Sequence, residues 1–158
     1  MKRPLFALSL ALGLACAGAP ALAQDNVHID QSGNDSTVAI NQVASGGGNS
    51  VMVMQGDAGW GYYAPAGFNN VRVNQVNVAG AVAEVTQSGM ESSAYVEQME
   101  GGYSMAKIMQ TGYGGMNLAE VYQTGHGNSA NIEQAGSNLS ASIRQAGYNN
   151  TATVLQRY

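Results

Sequence analysis

The sequence predicts an all-β fold, a parallel two-sheet β-solenoid built from strand-turn-strand rungs. Three observations predict it: glutamine recurs at short intervals, small or branched apolar residues stand four and two positions before each glutamine, and glycine often follows two positions after it. A short, repeated period is typical of stacked units, none of which can bury its apolar face alone. The stack as a whole, rather than any one unit, is therefore expected to fold.

Eleven units carry the repeat. Successive glutamines are separated by 11, 13, 20, 12, 11, 12, 13, 11, 11 and 11 residues. Position −4, counted from the glutamine, is always Ala or Val, and position −2 is always Ile or Val. The repeated glutamines are Gln31, Gln42, Gln55, Gln75, Gln87, Gln98, Gln110, Gln123, Gln134, Gln145 and Gln156.

Residues 1–23 are predicted to be a secretory signal peptide that is not part of the fold. Lys2 and Arg3 give a basic start, a short apolar run follows, and Ala21-Leu22-Ala23 is a small-x-small cleavage site. The apolar run is too short for a membrane span. Residues 24–158 are then expected to form a single β-solenoid domain.

Charge and cysteine content exclude several classes of protein. After the predicted signal peptide, four basic residues oppose ten acidic ones, a net charge of −6. The absence of a basic stripe argues against nucleic-acid binding. Cys16 is the only cysteine, and it lies in the predicted signal peptide, so no disulfide is expected. Lipidation of Cys16 is a less favoured alternative, because Ala21-Leu22-Ala23 is the better cleavage site.

Alternation assigns the two faces of each predicted strand. Positions −4, −2 and 0 share one face, which position −6 joins, often as Asn or Ser. From Ser36 onward, no charged side chain within a predicted strand falls on this face, so it is expected to point inward. The inward asparagines assigned to the same stacking ladder as the glutamines are Asn49, Asn69, Asn117, Asn128 and Asn150.

The inward amides favour a solenoid over a meander of antiparallel strands. A buried primary amide without partners costs about 1–3 kcal/mol. When parallel strands stack in register, about 4.7 Å apart, each amide can donate to the next one. Because eleven units is an odd number, one unit has no partner in its rung, and the sequence leaves open at which terminus it lies.

The turns carry glycine, which permits positive φ. Strands of six or seven residues with turns of four or five account for the 11-residue step, and the extra residues of longer steps are expected in turns. Residues 56–68 are predicted to be a loop insertion. Its aromatic residues, which include Trp60, Tyr62 and Tyr63, suit stacking on a partner or packing on the outer sheet face, and the second interpretation is favoured.

The ends of the predicted stack indicate self-assembly. The last unit is a repeat of full quality, the first begins within about three residues of the predicted mature N-terminus, and neither end has a helical or proline-rich cap. A parallel stack exposes unpaired N–H and C=O groups at both ends. Open, head-to-tail contacts between such ends generate filaments, so the sequence predicts cross-β fibres.

Enzymatic and metal-binding functions are not expected. His28 and His126 are far apart and have no neighbours at metal-ligand spacing. The acidic residues fall on predicted outward positions, so no buried pair exists to split their pKa values. We therefore predict no catalytic residue, no cofactor and no metal.

The repeat resembles that of a known family. The pattern Gln-x-Gly-x-x-Asn-x-Ala-x-x-x-Gln is intact at residues 123–134 and 145–156, and it occurs with Ser for Asn at residues 87–98. This resembles the curlin repeat of curli, the extracellular amyloid fibres of bacterial biofilms. The resemblance implies a secreted structural subunit that self-assembles into such fibres at the bacterial cell surface, for biofilm matrix and adhesion.

The resemblance also implies partners: an outer-membrane curli secretion pore, a periplasmic chaperone, and the curli nucleator or major subunit. The ending at residues 145–158 looks like the C-terminal repeat of the major subunit, whereas the Gly-rich leader typical of that subunit is not evident before Asn26. The minor nucleator subunit is therefore an alternative. A monomeric β-solenoid that binds ice or a glycan is another, although the outward positions lack the regular threonine column of an ice-binding protein.

Overall fold

The computed structural model describes residues 9–14, 25–32, 36–43, 47–56, 68–112 and 116–158. These residues form strands and connecting turns, and none of them belongs to a helix that could cross a membrane. The strands are β1 (Ser9–Leu14), β2 (Asn26–Gln31), β3 (Thr37–Val43), β4 (Ser50–Gly56), β5 (Asn70–Ala79), β6 (Val82–Gly89), β7 (Ser93–Gly102), β8 (Met105–Gly112), β9 (Leu118–Thr124), β10 (Ser129–Ala135), β11 (Ser140–Ala146) and β12 (Thr151–Arg157).

The strands form two parallel sheets of six strands each. The odd sheet has the order β1-β3-β5-β7-β9-β11, and the even sheet has the order β2-β4-β6-β8-β10-β12. The chain therefore crosses from one sheet to the other after every strand. The result is a two-sheet β-solenoid of about five turns, and the predicted fold class is confirmed.

Neighbouring strands pair so that equivalent positions of the repeat stack on one another. Gln87 lies beside Gln110 in the even sheet, and Gln98 lies beside Gln123 in the odd sheet. Because side chains alternate between the two faces of a strand, a slip of one residue would turn the whole inner face outward. The repeat thus fixes the register of every pair among the strands β2 to β12.

A thin apolar core fills the space between the two sheets. It consists of the Ala, Val and Ile side chains at positions −4 and −2, and central members such as Val53 and Val85 are completely buried. Core members on the first and last repeat strands, Val27 and Val154 among them, are only partly buried. The terminal rungs therefore present apolar surface that nothing in the described chain covers.

The extra residue in the two 12-residue steps was expected in a turn, but it lies within the strands β5 and β7, which are ten residues long. Asn77 and Glu100 have positive φ values of 54° and 50°. Pairing continues past them at Val78 and Gly101. Both strands therefore bulge at the same level, and stacking one bulge on the other lets the sheet accept the extra residue while Val78 stays buried.

β1 lies within the predicted signal peptide and extends the odd sheet. It pairs in parallel with β3, from Ser9 beside Thr37 to Leu14 beside Gln42. Removal of residues 1–23 stays a prediction, and such removal would leave the outer edge of β3 open. The predicted loop insertion at residues 56–68 lies outside the described residues, apart from Gly56 and Phe68.

Glycines at the strand ends also stack in columns, and these columns provide a test of the packing. A Cβ atom added to Gly112 would clash with the backbone carbonyl of Gly136, which directly follows β10, the next strand of the even sheet. We expect Gly112→Ala to destabilise the monomer by about 1–3 kcal/mol, measured by urea denaturation. Gly56→Ala is the matched control, because among the described residues its Cβ would come no closer than 3.3 Å, to the Ser32 side-chain hydroxyl. Equal stability of the two variants would contradict the packing described.

Candidate functional site

Two columns of glutamine side chains run through the core, and we call them the glutamine columns. In each column, the Nε2 of every glutamine except the last donates to the Oε1 of the glutamine on the next strand of the sheet, at 2.7–2.9 Å. The odd-sheet column consists of Gln42, Gln75, Gln98, Gln123 and Gln145, and the even-sheet column of Gln31, Gln55, Gln87, Gln110, Gln134 and Gln156.

The second hydrogen of most of these amides crosses the core. Gln110 Nε2, for example, also donates to the carbonyl of Ser93 on the preceding strand, at 3.1 Å. Equivalent bonds occur on eight strands from β4 to β12. One amide therefore joins its own strand, the next strand of its sheet and the opposite sheet. This is how a carboxamide such as Gln110, which is completely buried, avoids the desolvation penalty.

The asparagines act differently from the glutamines, although the sequence analysis assigned both to one ladder. Asn69 donates from Nδ2 to the carbonyl of Gly89 at 2.9 Å, and its Oδ1 accepts the backbone N–H of Ser92 at 3.0 Å. Asn49, Asn117 and Asn128 bind backbone groups of the neighbouring rung in the same way.

Asn150 and Asn128 are the one pair of this set whose side chains bind each other, since Asn150 Nδ2 donates to Asn128 Oδ1 at 3.1 Å. The reason for the difference is position and length. Asparagine stands where the strand begins, one methylene shorter than glutamine, and a short side chain there competes for local backbone groups. The asparagines therefore fix the turns, while the glutamines connect the strands.

Each glutamine column has a direction, because all its amides donate toward the C-terminal end. In the described part of the chain, the buried side-chain atoms without a hydrogen-bond partner are Gln31 Oε1 and Gln42 Oε1, at the N-terminal end of the two columns. At the other end, Gln145 and Gln156 each donate to one backbone carbonyl, of Ser129 and Ser140 respectively. Each column thus begins with an amide oxygen that lacks a partner and ends with an amide that has no glutamine acceptor.

The outer faces carry mixed and mostly exposed side chains. Lys107 lies 2.9 Å from Glu84, and Arg157 lies 2.7 Å from Glu133. Exposed ion pairs of this kind contribute about 1 kcal/mol or less. The outer-face side chains therefore set the chemistry of the surface, whereas the inner-face side chains determine how the strands stack.

Aromatic residues form a small cluster on the outer face of the odd sheet. The rings of Tyr95 and Tyr122 have centroids 5.3 Å apart, and the guanidinium of Arg72 lies 5.8 Å from the Tyr95 ring. Partial burial raises the pKa of Tyr95, and a hydrogen bond and the negative charge of Glu97 raise it further. The three residues lie on β5, β7 and β9, which are successive strands of the odd sheet. Their contacts therefore run along the stacking direction.

The described residues hold no group of three or more His, Cys, Asp or Glu side chains close enough to bind a metal ion. Their polar interior consists of amides and hydroxyls that already bind one another or the backbone. The free hydrogen-bonding groups of this arrangement lie at the two ends of the glutamine columns. The arrangement can therefore bind further strands of the same kind at these ends.

In-register parallel strands, continuous amide columns and open edges of opposite polarity define a β-solenoid of the cross-β class. Residues 114–147 match the family model described as Curlin associated repeat. The match covers 34 of the 158 residues, and over this range it confirms the resemblance seen in the sequence. Curlin-repeat proteins are structural fibre subunits. No curated protein gave a significant match.

The matched range contains the strands β9, β10 and β11. These strands have the most regular steps, and Gln123, Gln134 and Gln145 within them are all buried. The same bonds recur in the strands before and after this range, so the structural repeat extends beyond the matched residues.

The glutamine columns can be tested in the monomer. Gln110→Leu leaves Gln87 Nε2 without its acceptor and Gln134 Oε1 without its donor, both in a dry core. We expect a loss of about 2–4 kcal/mol in the free energy of unfolding, measured by urea denaturation. Gln156→Leu is the control, because it is half-buried and serves as acceptor for Gln134 alone. Equal losses at both positions would show that interrupting a column in its middle costs no more stability than removing its last member.

Proposed function

We propose that this protein is a secreted structural subunit that self-assembles into extracellular, curli-like amyloid fibres, which serve biofilm matrix and cell adhesion. One observation carries the proposal: both glutamine columns end in unpaired acceptors at one end and in available donors at the other. The match to the curlin repeat supports it. The glutamines and asparagines named above are proposed as the self-assembly residues.

The backbone at the C-terminal end favours the same conclusion. Tyr158 N donates to Ala135 O, so by alternation the N–H groups of Ala152, Val154 and Gln156 also point toward β10. The N–H groups of Thr151, Thr153 and Leu155 then point away from it. A row of such groups is a template for another strand, and a second copy supplies one with the same repeat.

Export and assembly follow from the same proposal. Residues 1–23 direct the chain across the inner membrane and are removed, and an outer-membrane curli pore and a periplasmic chaperone deliver it to the cell surface. Its partners there are further copies of itself and the second subunit of the fibre, whether nucleator or major subunit. Because the second subunit would carry the same repeat, it would use the same open edges.

The proposal predicts spontaneous assembly of the processed chain. We expect purified residues 24–158, started as monomer, to show a lag phase and then growth in thioflavin T fluorescence, since a new end must first form and then recruit copies. The fibres should give a meridional reflection at about 4.7 Å. A chain that stays monomeric for days at tens of micromolar would overturn the proposal.

A single proline tests whether the edge of β12 is used. Thr153→Pro removes an outward-pointing N–H without touching a bond to β10, and proline is tolerated on such edges. We expect a monomer with an unchanged circular dichroism spectrum whose addition to seeds of its own kind is at least tenfold slower, measured by thioflavin T. Thr153→Ala keeps the N–H and should elongate normally. Normal elongation of the proline variant would rule out assembly through this edge.

A further inference from the structure

The two open ends of the solenoid fit each other in one particular orientation. The first and last glutamine-bearing strands, β2 and β12, both lie in the even sheet. Successive strands alternate between the sheets, so the strand that follows β12 in the winding belongs to the odd sheet, beside β11. We propose that each copy in the fibre is rotated by half a turn about the fibre axis, so that its β2 pairs with β11 and its β3 with β12 of the copy before.

This inference rests on the proposed function and adds the geometry of the joint. Half a turn exchanges the two sheets, and each incoming strand then continues the sheet it joins in the parallel sense. Each copy adds five and a half rungs, about 26 Å, and the structure repeats after two copies, about 52 Å. The winding passes from copy to copy without a missing strand.

Without the rotation, the joint would contain a gap. β2 of the next copy would pair with β12, and its β3 would lie two strand spacings, about 10 Å, from β11. The outer backbone groups of β11 would then be enclosed by the fibre without a hydrogen-bond partner, and enclosed backbone groups are nearly always paired. The half-turn avoids this gap because the chain contributes six strands to the even sheet but, once β1 is removed, five to the odd sheet.

The glutamine columns continue through the rotated joint. Gln145 Nε2 donates to Gln31 Oε1 of the next copy, and Gln156 Nε2 donates to Gln42 Oε1 of the next copy. Both acceptors lack a partner within the described chain. The odd-sheet column of one copy thereby becomes the even-sheet column of the next, with the register that joins Gln123 to Gln145 inside one copy.

The charges on the outer face distinguish the two orientations. In register, the rotated joint places Asp30 of the next copy beside Arg144, both of which are exposed. The unrotated joint would place Asp30 beside Leu155 instead. Inside one copy, the in-register neighbours Glu84 and Lys107 form an ion pair at 2.9 Å, so adjacent strands of this solenoid bring opposite charges into contact. Such a pair contributes to orientation more than to affinity.

The rotated joint uses the edge of β3 that β1 covers, so it forms after residues 1–23 are removed. The members of the packed hydrophobic cluster, from Val27 to Val154, lie within residues 24–158. The processed chain therefore keeps this cluster. The edge of β3 that receives β12 becomes available at the same step that produces the mature subunit.

Cysteine pairs provide the test, because Cys16 is the only native cysteine and the chain from residue 24 has none. Neighbouring residues on adjacent strands lie within the Cα distance that a disulfide spans. We expect fibres of Asp30→Cys/Arg144→Cys, assembled under reducing conditions and then oxidised, to dissolve in denaturant as covalent dimers and higher multimers on non-reducing gels. Fibres of Asp30→Cys/Leu155→Cys should dissolve as monomers.

Two controls separate the possible failures. Tyr122→Cys/Arg144→Cys joins in-register neighbours within one copy and should form an intramolecular disulfide, which shows that oxidation reaches this column. Cross-linking of Asp30→Cys/Leu155→Cys in place of the first pair would establish the unrotated joint and overturn the inference while leaving the proposed function intact. Fibres that cross-link through neither pair would also overturn it. Absence of fibres from the unmodified chain would instead reject the proposed function.

Charge reversal gives an independent measurement that requires no disulfide. Arg144→Glu places like charges at the rotated joint, and we expect elongation from its own seeds to be about two- to fivefold slower at low ionic strength. The double variant Arg144→Glu/Asp30→Arg should recover the original rate. A double variant as slow as the single one would contradict the pairing of these two positions.

Discussion

Satisfaction of buried carboxamides is the constraint on which this structure depends. A glutamine in a dry core is tolerated only when both hydrogens and the oxygen find partners, and Gln110 does so by binding its neighbours in the column and the opposite sheet at once. No isolated rung could provide these partners. The amides therefore demand stacking, parallel direction and one register together, while the aliphatic core between them supplies apolar burial that is compatible with many registers.

The turns obey a second constraint, which is close approach of the backbone. Glycines at equivalent positions stack so tightly that a Cβ would clash with the next rung, as at Gly112 and Gly136. Asparagine then binds the backbone of that rung, as Asn69 does with Ser92 and Gly89. The glycines allow the backbones of adjacent rungs to approach closely, and the asparagine side chains hold the rungs at that distance. The turns of the solenoid therefore restrict the residue type at their positions as strongly as the core does.

Much of this architecture could be predicted from the sequence, because a side-chain period of two and a repeat near 11 residues leave few alternatives. Faces, core positions and parallel stacking follow from that pattern. The role of the asparagines could not be predicted, because composition does not distinguish an amide that binds an amide from one that binds backbone. The stacked bulge at Asn77 and Glu100 was also missed, because it depends on two strands that are adjacent in space but distant in sequence. The pairing of β1 with β3 was missed for a different reason: β1 lies in the predicted signal peptide and carries no glutamine.

The outward-facing positions of the strands tolerate changes of side chain. Because register is determined inside, a residue such as Thr86 or Asn131, whose side chain takes no part in the core, can be exchanged without altering how rungs align. Equivalent outward positions recur on successive strands of a sheet at about 4.7 Å. The same scaffold can therefore present very different chemistries as evenly spaced rows, and a graft of one short motif per rung would be displayed as a regular linear array.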